Sequence, residues 1–164
     1  MGGTQYCFLL LIYYILRFDP KSYRVRVYCS SDCFFPQGVE KVLVEDIFEG
    51  LTESKRRGDD FIIIKDNKDQ QLARFIDKLR HRIVIWGHNF YFGDYADWVA
   101  KSPSVIANVF VGRQQYDRYI DHPICDKSLF IYNMVPDVVG GKKRDNDGKT
   151  VVYLRALIPE KGFL

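Results

Sequence analysis

The run Ile83-Val84-Ile85-Trp86 constrains the fold more than any other stretch, because it is apolar, mostly β-branched and free of polar interruption. A strand with one face in water alternates apolar and polar residues. An unbroken apolar run instead reads as a strand buried on both faces of a parallel sheet. The run ends in Gly87, which lets backbone come close to a ligand. His88 and Asn89 follow, and both hydrogen-bond while His88 also titrates near neutral pH. Open α/β sheets bind ligands just beyond the carboxyl ends of their strands, so His88 is the first candidate site residue. The plain structural alternative is a loop whose His and Asn merely satisfy backbone groups.

Strand and helix patterns alternate around this run. Gly2-Gly3-Thr4 precedes an apolar stretch over residues 6–16 that reads as a helix, with Thr4 as its N-cap. Exposed amides of such a glycine pair suit an anion. Residues 24–29 alternate as a short strand. Val39, Val42, Leu43, Ile47, Phe48 and Leu51 recur at helical spacing, with acids early and Lys55-Arg56-Arg57 before Gly58; this predicts one continuous helix. Residues 61–65 read as a strand, after which Asp66 or Asn67 can cap a helix striped by Leu72, Phe75, Ile76 and Leu79. The aromatic stretch 90–100 reads as a packing helix more readily than as a lid. A strand over 104–111, a helix opened by Gly112 and a strand over 129–132 complete the series.

These patterns predict an α/β fold, a Rossmann-like parallel sheet with helices on both faces. They place one domain over residues 1–136. A glycine-rich, charged linker covers 137–149, and a fresh strand and loop over 150–164 open a second unit.

Composition narrows the function classes. The formal charge of +3 on 164 residues is spread among acids, which gives no stripe for nucleic acid. Cys7, Cys29, Cys33 and Cys125 show neither a disulfide framework nor the paired spacing of a zinc site, so a reducing cytoplasm is expected and no metal is assigned. Cys7, inside an apolar run, is expected to pack as a small hydrophobe. The run over 6–16 is too short to cross a bilayer but allows peripheral contact with the inner face of a membrane.

Three stretches together resemble family 4 GT-B glycosyltransferases. Gly2-Gly3-Thr4-Gln5 before an apolar helix is similar to the glycine-rich turn after their first strand. Residues 83–89 resemble the strand and His-containing loop in the middle of their N-terminal domain. Tyr132-Asn133-Met134-Val135-Pro136, then Val151-Val152-Tyr153-Leu154 and Ile158-Pro159-Glu160-Lys161-Gly162, resemble the crossover into their second domain. The resemblance implies a hexosyltransferase-like enzyme, commonly retaining and metal-independent, that needs no cofactor. It would move a sugar from a nucleotide-sugar donor to a saccharide or lipid-linked acceptor. His88 would contact the donor sugar, while Gly2, Gly3 and Lys161 would bind the donor diphosphate. The family usually has glycine where this chain has Arg155 and a basic residue where it has Ala156, which leaves Arg155 as the candidate to stand in for that cation.

The resemblance spans about half of such an enzyme, so the chain is expected to be truncated at both ends and inactive by itself. The first strand of the doubly wound order is expected to be missing, which would leave the strands at Arg24 and Arg82 facing a gap. A non-catalytic α/β binding module and a GT-B sugar-nucleotide epimerase are the rival readings.

Overall fold

A computed structural model of the chain describes residues 3–32 and 34–133. The linker over 137–149, the strand expected over 150–154, and the site candidates Gly2, Arg155 and Lys161 lie outside the described residues, as does Cys33.

The elements follow in the order α1 (Gly3–Phe18), β1 (Val25–Cys29), β2 (Val39–Leu43), α2 (Ile47–Arg56), β3 (Ile62–Lys65), α3 (Gln70–Leu79), β4 (Ile83–Gly87), α4 (Tyr95–Lys101), β5 (Val105–Phe110), α5 (Arg113–Asp117) and β6 (Ser128–Phe130), with a 3-10 turn, Pro123–Lys127, before the last. All the strand pairs are parallel. The α/β architecture read from the sequence is therefore the one that forms.

The predicted helix from Val39 is corrected. Val39–Leu43 is strand β2, paired residue for residue with β1, and α2 starts only at Ile47. Asp46 sets that start: its side chain accepts the Glu49 N–H at 2.9 Å, while the Glu49 carboxylate accepts the Glu45 N–H. Such a box halts the helix at its N-terminal side. Ahead of it, Val39 and Val42 suit a pleated strand, and Glu40 lies opposite Arg26 of β1 and bonds both Arg26 and Arg24. Spacing alone could not separate the two periods.

Two smaller expectations also change. Thr4 lies inside α1 rather than capping it. Helix α3 is capped by Asp69, which accepts the Gln71 N–H at 2.8 Å, whereas Asp66 is used elsewhere.

The strands form two sheets, β1-β2 and β3-β4-β5-β6. β4 is paired on both sides, so the Arg82 strand is not a sheet edge; β1 and β3 are the edges left without each other. Side chains link the two sheets here. Arg26 and Tyr28 of β1 both bind Asp59, in the turn leading to β3, Tyr28 donating at 2.6 Å. Ser54 of α2 also donates to Asp59, at 2.8 Å.

Strand alternation sends Ile83 and Ile85 to one face, where they join Leu51, Leu72, Ile76, Val99 and Phe110 in the core. Val84 and Trp86 point to the other face, and the Trp86 ring meets Phe8 of α1 edge-on at 4.8 Å. Helices thus cover both faces. Cys7, Leu10 and Ile12 are the buried residues of α1, so Cys7 does pack as a small hydrophobe.

Candidate functional site

The carboxyl ends of β3, β4 and β5 open into a cavity of about 1040 Å³, at the upper end of the ~300–1,000 Å³ range of small-molecule sites. Its wall includes Lys65 at the end of β3, Asn67 and Lys68 after it, His88 and Asn89 after β4, and Gln114 after β5. The central strand therefore delivers His88 where the sequence placed it.

Asp66 builds the site, although the sequence suggested it only as a helix cap. Its buried carboxylate accepts the His88 N–H at 2.9 Å through one oxygen and the Asn89 side-chain amide at 2.9 Å through the other. Its own N–H donates to the Trp86 carbonyl. A carboxylate one residue beyond a strand, beside another strand that ends in His-Asn, was the signal that could have identified it.

Burial disfavours the charged form of the His88 imidazole. Burial lowers the His88 pKa, Asp66 acts to raise it, and Lys65 adds to the lowering. Nε2 of His88 is buried and has no hydrogen-bond partner among the described residues, nor has Nε1 of the neighbouring Trp86, whose ring lies 5.2 Å away. Natural proteins leave few such groups unsatisfied, and a neutral imidazole can accept from or donate to a bound hydroxyl.

Gly87 does approach something closely, but the occupant is internal. A Cβ on Gly87 would collide with the Tyr91 ring, with Cζ at 3.0 Å and the hydroxyl closer still. That hydroxyl donates to Asn108 Oδ1 at 2.6 Å, and Asn108 donates in turn to Ser128. Burial drives the Tyr91 phenol far above its ordinary pKa. The Tyr119 hydroxyl accepts the Tyr91 N–H at 2.8 Å and donates to the Tyr91 carbonyl at 2.7 Å. The aromatic stretch therefore divides its work. Tyr91 and Tyr95 pack inward, while Phe90 and Phe92 are exposed at the cavity rim.

Helix α1 runs against the strands. Phe8 touches Trp86 near the carboxyl end of β4, whereas Leu16 lies against Gly38, just before β2 begins. This direction aims the first turn of α1, starting at Gly3, toward the edge that carries His88. Of the expected site residues, His88 lines the cavity and Gly3 begins α1.

One constellation looks catalytic and is not. Ser54 Oγ lies 3.0 Å from His81 Nε2 and 2.8 Å from Asp59. In a nucleophilic triad the carboxylate orients the histidine; here the serine hydroxyl itself donates to Asp59, and His81 Nε2 meets the same hydroxyl. Ser54 is also fully buried, so this set ties β1 to the base of β4 and does no chemistry on a substrate. Among the described residues no three His, Cys, Asp or Glu side chains converge as a metal site needs. No helix among them is long and apolar enough to cross a membrane.

Comparison with protein-family models, curated proteins and solved structures finds no match for this chain.

Proposed function

We propose that the chain is the acceptor-side half of a GT-B glycosyltransferase, working on the cytoplasmic side in peripheral contact with the membrane. It would take part in moving a sugar from a nucleotide-sugar donor to a saccharide or lipid-linked acceptor. The observation that carries this reading is His88, which lines a 1040 Å³ cavity and whose buried Nε2 has no hydrogen-bond partner among the described residues. The bond between the sugar's anomeric carbon and the donor phosphate oxygen breaks, the acceptor oxygen takes that carbon, and the acceptor proton passes to the departing diphosphate. Negative charge grows on the departing diphosphate. A helix N-terminus directed at that charge, as α1 is directed at this edge, stabilises the transition state. Further cations would serve the same end, and the resemblance assigns that part to Arg155 and Lys161.

The test is saturation-transfer NMR on the chain with a panel of uridine and guanosine diphosphate sugars. Sugar protons of at least one donor should receive saturation, and His88→Ala should abolish it. Lack of contact with every donor, or contact indifferent to His88→Ala, would sink the assignment.

Asp66 favours a second reading, a binding module without turnover. It is the sole carboxylate on the cavity wall among the described residues, and it is committed to the His88–Asn89 turn. A ligand that occupies this cavity and is not displaced by any nucleotide sugar would decide for that module.

A further inference from the structure

The parallel strands are interrupted between β1 and β3, neither of which bonds a strand of the other sheet. Ladder parity shows which backbone groups this leaves over, because alternate residues of a parallel strand bond to opposite sides. The Cys29 carbonyl accepts from Val44, just past β2, so Arg26 and Tyr28 face away from β2. The Ile62 N–H donates to the Arg82 carbonyl and the Asp66 N–H to the Trp86 carbonyl, so Ile63 and Lys65 face away from β4. Among the described residues no hydrogen bond reaches the backbone N–H or C=O of these four from the side of the interruption.

Helices wall this interruption on both faces. On one face Gly50 of α2 packs on Tyr28, a Cβ there standing 3.4 Å from the Tyr28 Cβ, and Leu51 of the same helix joins Ile64 in the core. On the other, α1 crosses from Trp86 of β4, which Phe8 meets, to Gly38 before β2, which Leu16 meets. The result is a slot between two unpaired parallel edges. Its strands are under-covered for their place: every residue of β1, and Ile62 and Ile63 of β3, is only half-buried, whereas Ile83 and Ile85 of β4 are fully buried. Parallel strands with helices on both faces are ordinarily buried.

We propose that this slot takes an extended segment of a separate polypeptide as a strand parallel to β1 and β3, matching their lengths of five and four residues. Its amides and carbonyls meet those of Arg26 and Tyr28 on one side and those of Ile63 and Lys65 on the other. This is strand addition made at two edges at once. Because α1 covers one face and α2 the other, both sets of its side chains must be apolar, and β-branched residues suit the pleat. A segment with one polar face is the wrong occupant. Strand addition here does not depend on what the cavity at His88 binds.

The probe is a synthetic peptide with a core of valine and isoleucine as long as β1, a lysine at each end for solubility, and capped termini. Its control carries N-methyl groups on alternate core amides, which removes the donors that face one strand. Amide hydrogen exchange of the full, unaltered chain is followed by NMR. In the chain alone the N–H groups of Arg26, Tyr28, Ile63 and Lys65 should exchange fast, and those of Ile62 and Ile64, on the β4 side, slowly. Saturating peptide should slow the first four by at least about tenfold, and the N-methylated control should not. If the four amides are as slow as Ile62 and Ile64 before peptide is added, the proposal is overturned, because β1 and β3, or this chain's own residues beyond 133, then close the slot. Unchanged exchange at saturating peptide overturns it as well. So does equal slowing by the control, which places the peptide on an apolar surface and not on the strand edges.

Discussion

Gly87 has the Tyr91 hydroxyl where its own side chain would begin. Gly87→Ala must push the ring off Asn108 and is expected to cost about 1–3 kcal/mol, the usual range for overpacking, read from urea unfolding. Tyr91→Phe in the same chain should recover part of that loss, because the atom in collision is gone; strict additivity of the two changes would refute the contact. Arg80 presents the opposite case. It holds φ at 53°, a left-handed conformation at the end of α3 in which a Cβ is a burden. Arg80→Gly should stabilise the chain by about 0.5–1 kcal/mol, measured by the same unfolding curve. At Asp66 the carboxylate both holds the His88 turn and acts to raise the His88 pKa. Asp66→Asn should therefore lower the pKa read from the His88 ring protons by NMR titration; a rise would contradict the attraction between that carboxylate and the imidazolium. His88 could be picked from its place after an apolar run, but Asp66 could not, since which donors its oxygens meet depends on a neighbouring strand.

At the scale of elements, β1 and β3 are the strands whose edges lack each other, and side chains join them instead. Arg26 is the pivot: its side chain is 9% exposed and divides itself between Asp59 and Glu40. Those partners raise its pKa further above an already high value, with the Glu40 bond the largest cause. Asp59→Ala leaves Arg26 half-paired and strips Tyr28 and Ser54 of their acceptor. A loss of about 2–4 kcal/mol follows from breaking a largely buried charge pair. Hydrogen exchange should show where it falls. Amides of β1 and β2 should lose protection well before those of β4, which is paired on both sides. Uniform loss across both sheets would mean that the link is not local. The β2 segment shows why elements were only partly legible. Its apolar spacing fits either period, and pairing with β1, a contact across 14 residues of sequence between Arg26 and Glu40, decides for strand.

For the whole molecule, two histidines couple stability to pH. Burial is the leading cause that lowers the pKa of both His81 and His88 from 6.5. Below that value the unfolded chain binds protons that the folded chain resists, so stability is complete above about 6.5 and declines as the pH falls toward the depressed folded values. Thermal unfolding midpoints should drop across that window. Replacing both residues by Gln should flatten the decline, and an unchanged slope would remove the histidines as its cause.

The sequence by itself determined the alternation of parallel strands and helices, the central buried strand and the place of His88 at its end. Those features follow from the period and composition of short segments, which act through neighbours along the chain. Tertiary structure alone decided that Val39–Leu43 is a strand. It also decided that the sheet divides between β1 and β3, that Tyr91 fills the space beside Gly87, and that Asp66 orients the His88 turn. Each of these depends on which distant group arrives opposite, and that is set by packing and by the pairing of buried polar atoms, which local periodicity does not encode.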